Sequence, residues 1–390
     1  MKMHYIWQHK NWPQFGYDAE KLSALAYRYA KQAAQLSGRL SQTNQDDSIT
    51  ALLDLMVDEA INTNLIEGEN LNPASVRSSL QNYLNLTPDP VYVADVKAEG
   101  MAALIVDVRK NFHKPLSKDM LFNWHKMVLA GYEDHILHPE ITIGQWRNSH
   151  EPMQIVSGPI GYERVHYQAP DAADVNKLME AFLHWFNEAP QEDANLTGVI
   201  RSGIAHLWFE VIHPFDDGNG RIGRAIIEYA LAQDLGVPVV LSMSTHIEKN
   251  KKEYYRQLNL ASCFETAELN NDLDNPKALD ITLWLTWFIE TLMEAQEDAA
   301  NKIATIFHKS DFWQKHKDTP LTERQVKAIN KIFRAGSAGF PNGISAQKYA
   351  ALAKCSKATA TRDLGDLVSK NCLTTEGVGR GVRYFIANKK

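Results

Sequence analysis

Cysteine is scarce in this chain. The 390 residues include three cysteines, Cys263, Cys355 and Cys372, and no two of them form a C-x-x-C pair. Their number and spacing argue against a disulfide framework and against a structural zinc site. The first residues lack the apolar run of a secretory signal, and no apolar run reaches the roughly 18 residues that a membrane span requires. We therefore expect a soluble cytoplasmic protein in which the sequons at Asn85 and Asn195 carry no glycan.

Charge is unevenly distributed along the chain. Residues 310–390 hold 15 Lys and Arg against 6 Asp and Glu, a balance of +9, whereas the remainder holds 26 against 41, a balance of −15. The hydrophobic content of 44% and the charged content of 23% are ordinary for a globular protein. The length allows two or three domains. The composition therefore predicts a basic carboxyl-terminal domain attached to an acidic body.

Helical periodicity dominates the first 300 residues. A helix is expected from Asp18, a plausible N-cap, to Gly38. A second is expected from Asp47 or Ser48 to Gly68, since glycine commonly ends helices. The aromatic residues that precede the first helix are expected to form a packing cap over the core.

One segment departs from the helical pattern. Residues that favour strands lie on both sides of 157–161, in I-V-S-G-P-I-G-Y-E-R-V-H-Y, and predict a β-hairpin inserted in the helical body. Helices are expected again over 174–187, 196–212 and 279–300. The predicted fold class is therefore mainly α, with one small hairpin in the body.

Residues 315–390 predict a winged helix-turn-helix domain. A helix over 322–334 precedes two short helices with N-caps Ser345 and Ser356, and strands then flank G-V-G-R-G, a hairpin with a basic tip. The basic residues expected to contact a partner are Lys354, Lys357, Arg362, Arg380 and Arg383. DNA binding and protein docking are the two alternatives for this domain.

The segment with the most unusual chemistry is His213–Arg224, H-P-F-D-D-G-N-G-R-I-G-R. Apolar runs with helical spacing lie on both sides of it, so we expect a loop between two helices, the second beginning near Asn219 or Gly220. Glycines at the start of a helix leave outward N–H groups at the positive end of its dipole, which is typical of an anion site.

The charged residues of this segment suit phosphate chemistry. Arg221 and Arg224, three apart, can turn toward one anion, and guanidinium groups match phosphate oxygens. Asp217 can hold Mg²⁺ beside the phosphates, and His213 can act as a general base on an attacking hydroxyl. The Asn219 side chain can donate to the oxygen that gains charge.

Two competing interpretations of the segment are weaker. Gly218–Gly223 satisfies the dinucleotide pattern G-x-G-x-x-G, but that pattern needs a preceding strand and a βαβ unit, and here a helix precedes it. A purely structural polar turn explains the glycines and aspartates, but not two arginines, an asparagine and a histidine together.

His213–Arg224 fits the motif H-x-F-x-[DE]-G-N-G-R-x-x-R of the Fic family at all eight fixed positions, and the chain resembles this family over roughly residues 48–300. The resemblance implies a Fic-type helical bundle in which the hairpin, about 153–168, is a flap that positions a target. It implies adenylyl transfer, in which a target hydroxyl attacks the α-phosphate of ATP. The first residues, W-Q-H-K-N-W-P-Q-F, resemble an uncharacterised domain that precedes some Fic cores.

The resemblance also implies roles for individual residues. His213 is the base, Asp217 the Mg²⁺ ligand and Phe215 the anchor of the loop in the core. The remaining residues implied in nucleotide binding are Gly218, Asn219, Gly220, Arg221, Arg224, Tyr254 and Tyr255, the last two lying in the segment E-Y-Y-R-Q-L expected beside the adenine.

A second motif lies far upstream. T-N-L-I-E-G, Thr63 to Gly68, fits the inhibitory pattern [ST]-x-x-x-E-[GN] of Fic proteins whose restraining helix is amino-terminal. The resemblance implies that Glu67 pairs with Arg224 and displaces the γ-phosphate. Thr63 and Glu67 stand four apart on one helical face, and a carboxylate at a helix end gains from a cation there.

The sequence therefore predicts three regions: 1–110 with an inhibitory helix at about 48–67, a catalytic core at 111–305, and the winged domain at 315–390. The predicted activity is the transfer of AMP from ATP to a hydroxyl side chain of a target protein, with Mg²⁺ as the cofactor. Glu67 is expected to hold this activity back. The alternatives are an ATP-sensing DNA-binding regulator and a deAMPylase that uses Glu67. The predicted partners are ATP and a target protein that the sequence does not identify. Formation of a homodimer is an alternative that the sequence leaves open.

Overall fold

The computed structural model of the protein describes residues 2–132, 141–157, 164–192, 196–266, 279–340 and 343–387. These residues are mostly helical, and their strands form three two-stranded antiparallel sheets. The prediction of a mainly α fold with small hairpins is confirmed. Among the described residues, no helix has the length and apolar character needed to cross a membrane.

The elements follow one another in a helix-rich order. The helices are α1 (Ala19–Ser41), α2 (Gln45–Ile66), α3 (Pro73–Tyr83), α4 (Val96–Asn111), α5 (Lys118–Val128), α6 (Ala172–Glu192), α7 (Gly198–Ile212), α8 (Asn219–Leu235), α9 (Met243–Lys249), α10 (Lys251–Ser262), α11 (Thr282–Lys315), α12 (Glu323–Gly339), α13 (Ala346–Ala353) and α14 (Lys357–Ser369). The strands are β1 (Lys2–Tyr5), β2 (Gln154–Ser157), β3 (Arg164–Gln168), β4 (Cys263–Thr266), β5 (Leu373–Glu376) and β6 (Arg383–Ile386).

The chain divides into two compact units. Unit 1 comprises residues 1–39 and 52–299, and unit 2 comprises residues 40–51 and 300–390. In unit 1 every residue of α7 is buried, and α7 packs against α6, α8 and α10. A helix that is apolar around most of its surface is stable only inside a core. The turn that leaves α7 at His213 therefore starts from a rigid element.

The first two helices have bounds that differ from the prediction. Asp18 caps α1 as expected, since its Oδ1 accepts the N–H of Lys21 at 2.9 Å, but α1 continues past Gly38 to Ser41. Helix α2 begins at Gln45, earlier than the predicted start at Asp47 or Ser48. The reason is that Oδ1 of Asn44 accepts the N–H of Asp47 at 2.9 Å and caps the helix first.

The segment before α1 belongs to unit 1 and packs against its core as the predicted cap. Trp12 and Phe15 each contact Trp208 edge-on, with ring centroids 6.0 Å apart. The segment also contributes β1, which pairs antiparallel with β4. This pairing was not predicted from the sequence, because its partner lies some 260 residues away and neither strand is long enough to show a clear alternation.

Unit 2 contains the elements predicted for the carboxyl-terminal region. Ser345 and Ser356 cap α13 and α14, each accepting a backbone N–H at 3.2 Å. Lys354 ends α13 in the left-handed conformation, with φ 50°, which makes the turn between the two helices tight. Strands β5 and β6 then form the predicted hairpin.

Candidate active site

The loop that joins α7 to α8 turns sharply at both ends. His213 ends α7 with φ 49°, and Gly218 precedes α8 with φ 81°. Between them Phe215 is fully buried and stacks on His125, with ring centroids 4.1 Å apart. The predicted anchoring of the loop by Phe215 therefore has a clear physical basis, and α8 begins at Asn219 as expected.

Arg147 holds the turn at His213. Its Nε donates to the carbonyl oxygen of His213 at 2.8 Å, its Nη2 donates to that of Ile212 at 3.3 Å, and its backbone N–H donates to that of Pro214 at 2.9 Å. These bonds satisfy carbonyl groups left free at the end of α7. Sequence reasoning missed this residue, since nothing in I-T-I-G-Q-W-R marks its partner.

The Asn219 side chain closes the loop. Its Oδ1 accepts the N–H of Phe215 at 2.9 Å, and its Nδ2 donates to the carbonyl oxygen of Phe215 at 2.8 Å. The side chain is buried, with 2% of the residue exposed. The carboxamide nitrogen carries two N–H groups, and the bond to Phe215 uses one of them. Donation from Asn219 to a reacting oxygen therefore stays a prediction.

A cavity of about 750 Å³ opens over this loop. Its lining includes Glu67, Glu210, His213, Gly220 and Tyr255. The first turn of α8 carries no acidic residue, so the free N–H groups and the dipole of α8 favour an anion at this point. The predicted base and the predicted phosphate-binding helix end therefore share one cavity.

The side chain of His213 is largely buried. Burial lowers the pKa of His213 to about 4, and the cation of Arg147 acts in the same direction. The imidazole is therefore neutral near pH 7, the form that accepts a proton.

Glu210 lies beside His213 and was not predicted. Its Oε2 is 3.8 Å from Nδ1 of His213, and its Oε1 is a buried atom that no described residue hydrogen-bonds. Burial raises the pKa of Glu210 to about 8, with Arg224 acting to lower it and Glu67 to raise it. The signal available in the sequence was one acidic residue within the apolar run I-A-H-L-W-F-E-V-I.

Arg224 is enclosed by the end of α2. Its Nε donates to Oγ1 of Thr63 at 2.7 Å, and its Nη2 donates to the carbonyl oxygen of Thr63 at 2.9 Å and to Oε1 of Glu67 at 2.8 Å. Burial acts to lower the pKa of Arg224, but Glu67, Tyr254 and Tyr255 together outweigh it, and the pKa is raised. The sequence-predicted trio of Thr63, Glu67 and Arg224 is thus brought together in the structure.

Arg221 has a different set of partners. Its Nη1 donates to Oε2 of Glu69 at 3.0 Å and to Oδ1 of Asn64 at 3.4 Å, and its Nη2 donates to Oδ1 of Asp217 at 3.4 Å. The guanidinium side chain is 2% exposed. Glu69 and Asn64 were both missed by sequence reasoning, which considered one acidic residue in the E-G-E segment.

Asp217 fits the role of a magnesium ligand. Its side chain is 44% exposed, and the contacts given by described residues, Gly218 and Arg221, both fall on Oδ1, so Oδ2 is left for a cation. Mg²⁺ is commonly held by one or two carboxylates together with substrate phosphates and water. Among the described residues no cluster of three or more potential ligands exists, and a site completed by phosphate oxygens does not need one.

Tyr254 and Tyr255 occupy different positions. The hydroxyl of Tyr254 lies 2.9 Å from Nε2 of His206, and the residue is 1% exposed. Tyr255 is 41% exposed and lines the cavity, while its hydroxyl reaches the carbonyl oxygen of Ile66 at 3.5 Å. Both tyrosines line the cavity, Tyr255 as an exposed residue and Tyr254 as a buried one.

The predicted hairpin borders the same cavity. Strands β2 and β3 pair antiparallel, with an irregularity between Ile155 and Val156, and both of these residues line the cavity. They are 42% and 46% exposed. The tip of the predicted flap, residues 158–163, lies outside the described residues.

Two parts of the chain match known family models. Residues 115–231 match the Fic/DOC family, and residues 5–86 match a domain of unknown function, DUF4172. A protein named protein adenylyltransferase Fic from Drosophila grimshawi is 30% identical over 119 residues, which are 30% of this chain and 23% of that protein. Its namesake from Drosophila sechellia is 28% identical over 141 residues, 35% of this chain and 27% of that protein. The chain thus spans about a quarter of the length of these curated relatives.

The solved structures to which the chain is similar include two Fic proteins. A Fic family protein from Desulfovibrio desulfuricans G20 has a TM-score of 0.49 and 18% sequence identity, and the alignment covers 94% of this chain and 97% of that one. Fic-1 from C. elegans, residues 134–508, has a TM-score of 0.47 and 18% identity, with 73% and 75% covered. The family match includes the whole motif at His213–Arg224. Residues 115–231 of this chain therefore form a Fic domain.

Proposed function

We propose that the chain transfers AMP from ATP to a hydroxyl group of a target protein, and that Glu67 holds this activity back. One observation carries the proposal: the cavity over the start of α8 is lined by His213, Gly220 and Glu67, and Glu67 pairs with Arg224, the last motif residue. The match of residues 115–231 to the Fic/DOC family supports it, as do the curated relatives named protein adenylyltransferase Fic.

His213 removes the proton of the attacking hydroxyl. Because its pKa is lowered to about 4, the ring is neutral and ready to accept that proton at neutral pH. The hydroxyl oxygen forms a bond to the α-phosphorus, and the bond from this phosphorus to the pyrophosphate oxygen breaks. Pyrophosphate leaves, and the proton stays on the imidazole until solvent takes it.

The first turn of α8 holds the phosphates. Its backbone N–H groups and the guanidinium groups of Arg221 and Arg224 stabilise the negative charge on the polyphosphate. Asp217 would hold Mg²⁺, which supplies charge neutralisation between the phosphates when bound. Tyr255 lies at the edge of the cavity and offers a ring for the adenine to contact.

Glu67 competes with the γ-phosphate for Arg224. The carboxylate already occupies Nη2 of Arg224 at 2.8 Å, so a phosphate oxygen must displace it to reach the same donor. A ligand shifts such a balance only by its differential affinity for the two arrangements. ATP therefore binds in a poor position until Glu67 leaves Arg224.

Radiolabel transfer tests the reaction and the restraint together. With Mg²⁺ and α-labelled ATP, Glu67→Gly is expected to label itself or lysate proteins more strongly than the wild type, and His213→Ala is expected to bind ATP without transferring label. Mass spectrometry identifies AMP adducts on the labelled proteins. Equal labelling by the wild type and Glu67→Gly would refute the restraint, and label from γ-labelled ATP would indicate a kinase reaction instead. Loss of AMP from a premodified target would indicate deAMPylation.

A second candidate function concerns unit 2, for which we propose a winged helix-turn-helix fold that binds DNA. The supporting observation is local: Lys354, Lys357 and Arg362 are exposed at the turn between α13 and α14 and on α14 itself. Arg383 contributes less, because its Nη1 donates to the carbonyl oxygen of Val382 at 3.1 Å. A mobility shift with a salt titration tests this, since binding through phosphate contacts weakens steeply with salt. Capture of a protein with no DNA shift would favour docking.

A further inference from the structure

The end of α2 places two glutamates on one tight turn. Gly68 has φ 83°, its N–H donates to the carbonyl oxygen of Leu65 at 3.0 Å, and the N–H of Glu69 donates to that of Asn64 at 2.9 Å. This pair of bonds is the Schellman arrangement that ends many helices. It fixes the backbone on both sides of Gly68, so Glu67 and Glu69 leave the turn in defined directions.

The two glutamates contact two different arginines. Oε1 of Glu67 lies 2.8 Å from Nη2 of Arg224, and Oε2 of Glu69 lies 3.0 Å from Nη1 of Arg221. Arg221 and Arg224 are three residues apart on α8, so both face the same side of the helix. The end of α2 therefore engages both phosphate-binding arginines at once, through separate carboxylates.

Glu69 has anchors that Glu67 lacks. The hydroxyl of Tyr132 donates to Oε1 of Glu69, and Nζ of Lys97 donates to the same oxygen at 3.3 Å. Lys97 also lies over the Tyr132 ring, 4.0 Å from its centroid. Both of these contacts end on Oε1 of Glu69 and not on Arg224, so we expect them to persist when Glu67 leaves Arg224.

The orientation of Arg221 follows from this anchoring. Glu69 and Asn64 hold Nη1, while Nη2 points to Oδ1 of Asp217 at 3.4 Å. Asp217 lies in the loop before α8, where the proposed phosphates and Mg²⁺ bind. A guanidinium held on one edge loses little conformational entropy when its other edge takes a ligand.

We propose that Glu69 is a positioning residue for the polyphosphate of ATP. It holds the Nη1 edge of Arg221 so that Nη2 faces the phosphate site, and it keeps the end of α2 docked on α8 after Glu67 has released Arg224. Release of the restraint is then a movement of the Glu67 side chain, with α2 staying in place. The inference rests on the proposed function, which supplies the polyphosphate ligand.

The test compares Glu69→Gln and Glu69→Asp in the Glu67→Gly background. Glu69→Gln is expected to raise the KM for MgATP about tenfold or more with kcat within about twofold, and Glu69→Asp is expected to recover part of the affinity. Exposed Glu99→Gln is the matched control and should leave both constants unchanged. An unchanged KM in Glu69→Gln, or a higher transfer rate than in Glu67→Gly alone, would overturn the proposal, since the latter would make Glu69 a second competitor of phosphate.

Direct binding separates this inference from the proposed function. The Kd of MgATP is measured by calorimetry on the His213→Ala variants with and without Glu69→Gln, so a protein that transfers no AMP still reports on Glu69. Amide exchange of residues 66–69 should stay slow in Glu67→Gly and rise at least tenfold with Glu69→Gln. If Glu69→Gln does not fold at the assay temperature, Tyr132→Phe replaces it, with an expected two- to threefold rise in Kd. An unchanged Kd in that variant counts against the proposal.

Discussion

The carboxylate of Glu67 lies directly over Gly220, where a Cβ on the glycine would overlap Oε1. Such a Cβ would also lie 3.1 Å from Nη1 of Arg224. Glycine at this position therefore permits the first turn of α8 to meet the end of α2. The proposed restraint would depend on a missing side chain as much as on the ion pair itself.

Gly220→Ala should destabilise the protein only while Glu67 is present. The overlap is expected to push the flexible end of the Glu67 side chain away from Arg224, at a cost of about 1 kcal/mol in the free energy of unfolding, and this cost should largely vanish in Glu67→Gly. Urea unfolding of the wild type, Gly220→Ala, Glu67→Gly and the double variant measures the coupling between the two residues. Gly38→Ala is the control, because a Cβ there meets nothing within 4 Å and alanine favours the helix. Equal losses in both backgrounds would mean that Gly220 is needed for another reason.

Asn219→Ala should loosen the loop that precedes α8. The substitution leaves the buried N–H and carbonyl groups of Phe215 without their partners at 2.9 and 2.8 Å, and each unsatisfied group costs about 1–3 kcal/mol. Thermal unfolding should show the loss, and amide exchange of Phe215 should quicken. Preserved stability together with lost ATP binding would instead favour the expected ligand role of the carboxamide over a role in closing the loop.

Glu210→Gln should change how stability depends on pH. The pKa of Glu210 is raised from 4.5 to about 8, chiefly by burial. Between these values the unfolded state releases the proton and the native state keeps it, so its stabilising contribution is complete below pH 4.5 and is lost as the pH rises to 8. Across this window the free energy of unfolding of the variant should rise, relative to that of the wild type, by at most about 1.4 kcal/mol per pH unit.

The measurement for Glu210 is urea unfolding at several pH values from 5 to 8. Glu20→Gln, at an exposed position of α1, is the control and should run parallel to wild type. Parallel curves for Glu210→Gln as well would show that the pKa of this carboxyl in the native state is not raised above its value in the unfolded chain.

Asp363→Asn should weaken unit 2 selectively. Arg324 donates to both carboxylate oxygens of Asp363, at 2.6 and 2.9 Å, and the hydroxyl of Tyr349 donates at 3.2 Å. A carboxamide has one acceptor oxygen and cannot accept both N–H groups of the guanidinium. We therefore expect the free energy of unfolding to fall by about 1–3 kcal/mol. Hydrogen exchange in α14 measures it. Glu323→Gln is the control, since its pair with Lys327 is highly exposed and such pairs contribute little.

The local features of the site were predictable from the sequence. Glycine, asparagine and the two arginines after an apolar helix indicated a helix start that binds an anion, and α8 does begin at Asn219. Ser345 and Ser356 indicated the starts of α13 and α14 correctly. These features depend on backbone capping and periodicity over a few residues, which the sequence states directly.

Other features of the site were beyond sequence reasoning. The engagement of the Asn219 carboxamide by Phe215, the partnership of Glu69 with Arg221 and the burial of Glu210 depend on where neighbouring elements pack. The start of α2 was misplaced because Asn44, Asp47 and Ser48 are all acceptable N-caps. Propensity alone does not choose among them.

By itself the sequence determined that twelve residues, His213–Arg224, form a loop and a helix start, and it predicted a phosphate site with a base beside it, because residue types and spacing decide local backbone and chemistry. Its resemblance to the Fic family also pointed to the pairing of Glu67 with Arg224. Only the tertiary structure decided that a second glutamate of the same turn takes Arg221. The physical reason is that Glu69 and Arg221 are 152 residues apart in the chain, and their contact exists only because the end of α2 packs against the first turn of α8.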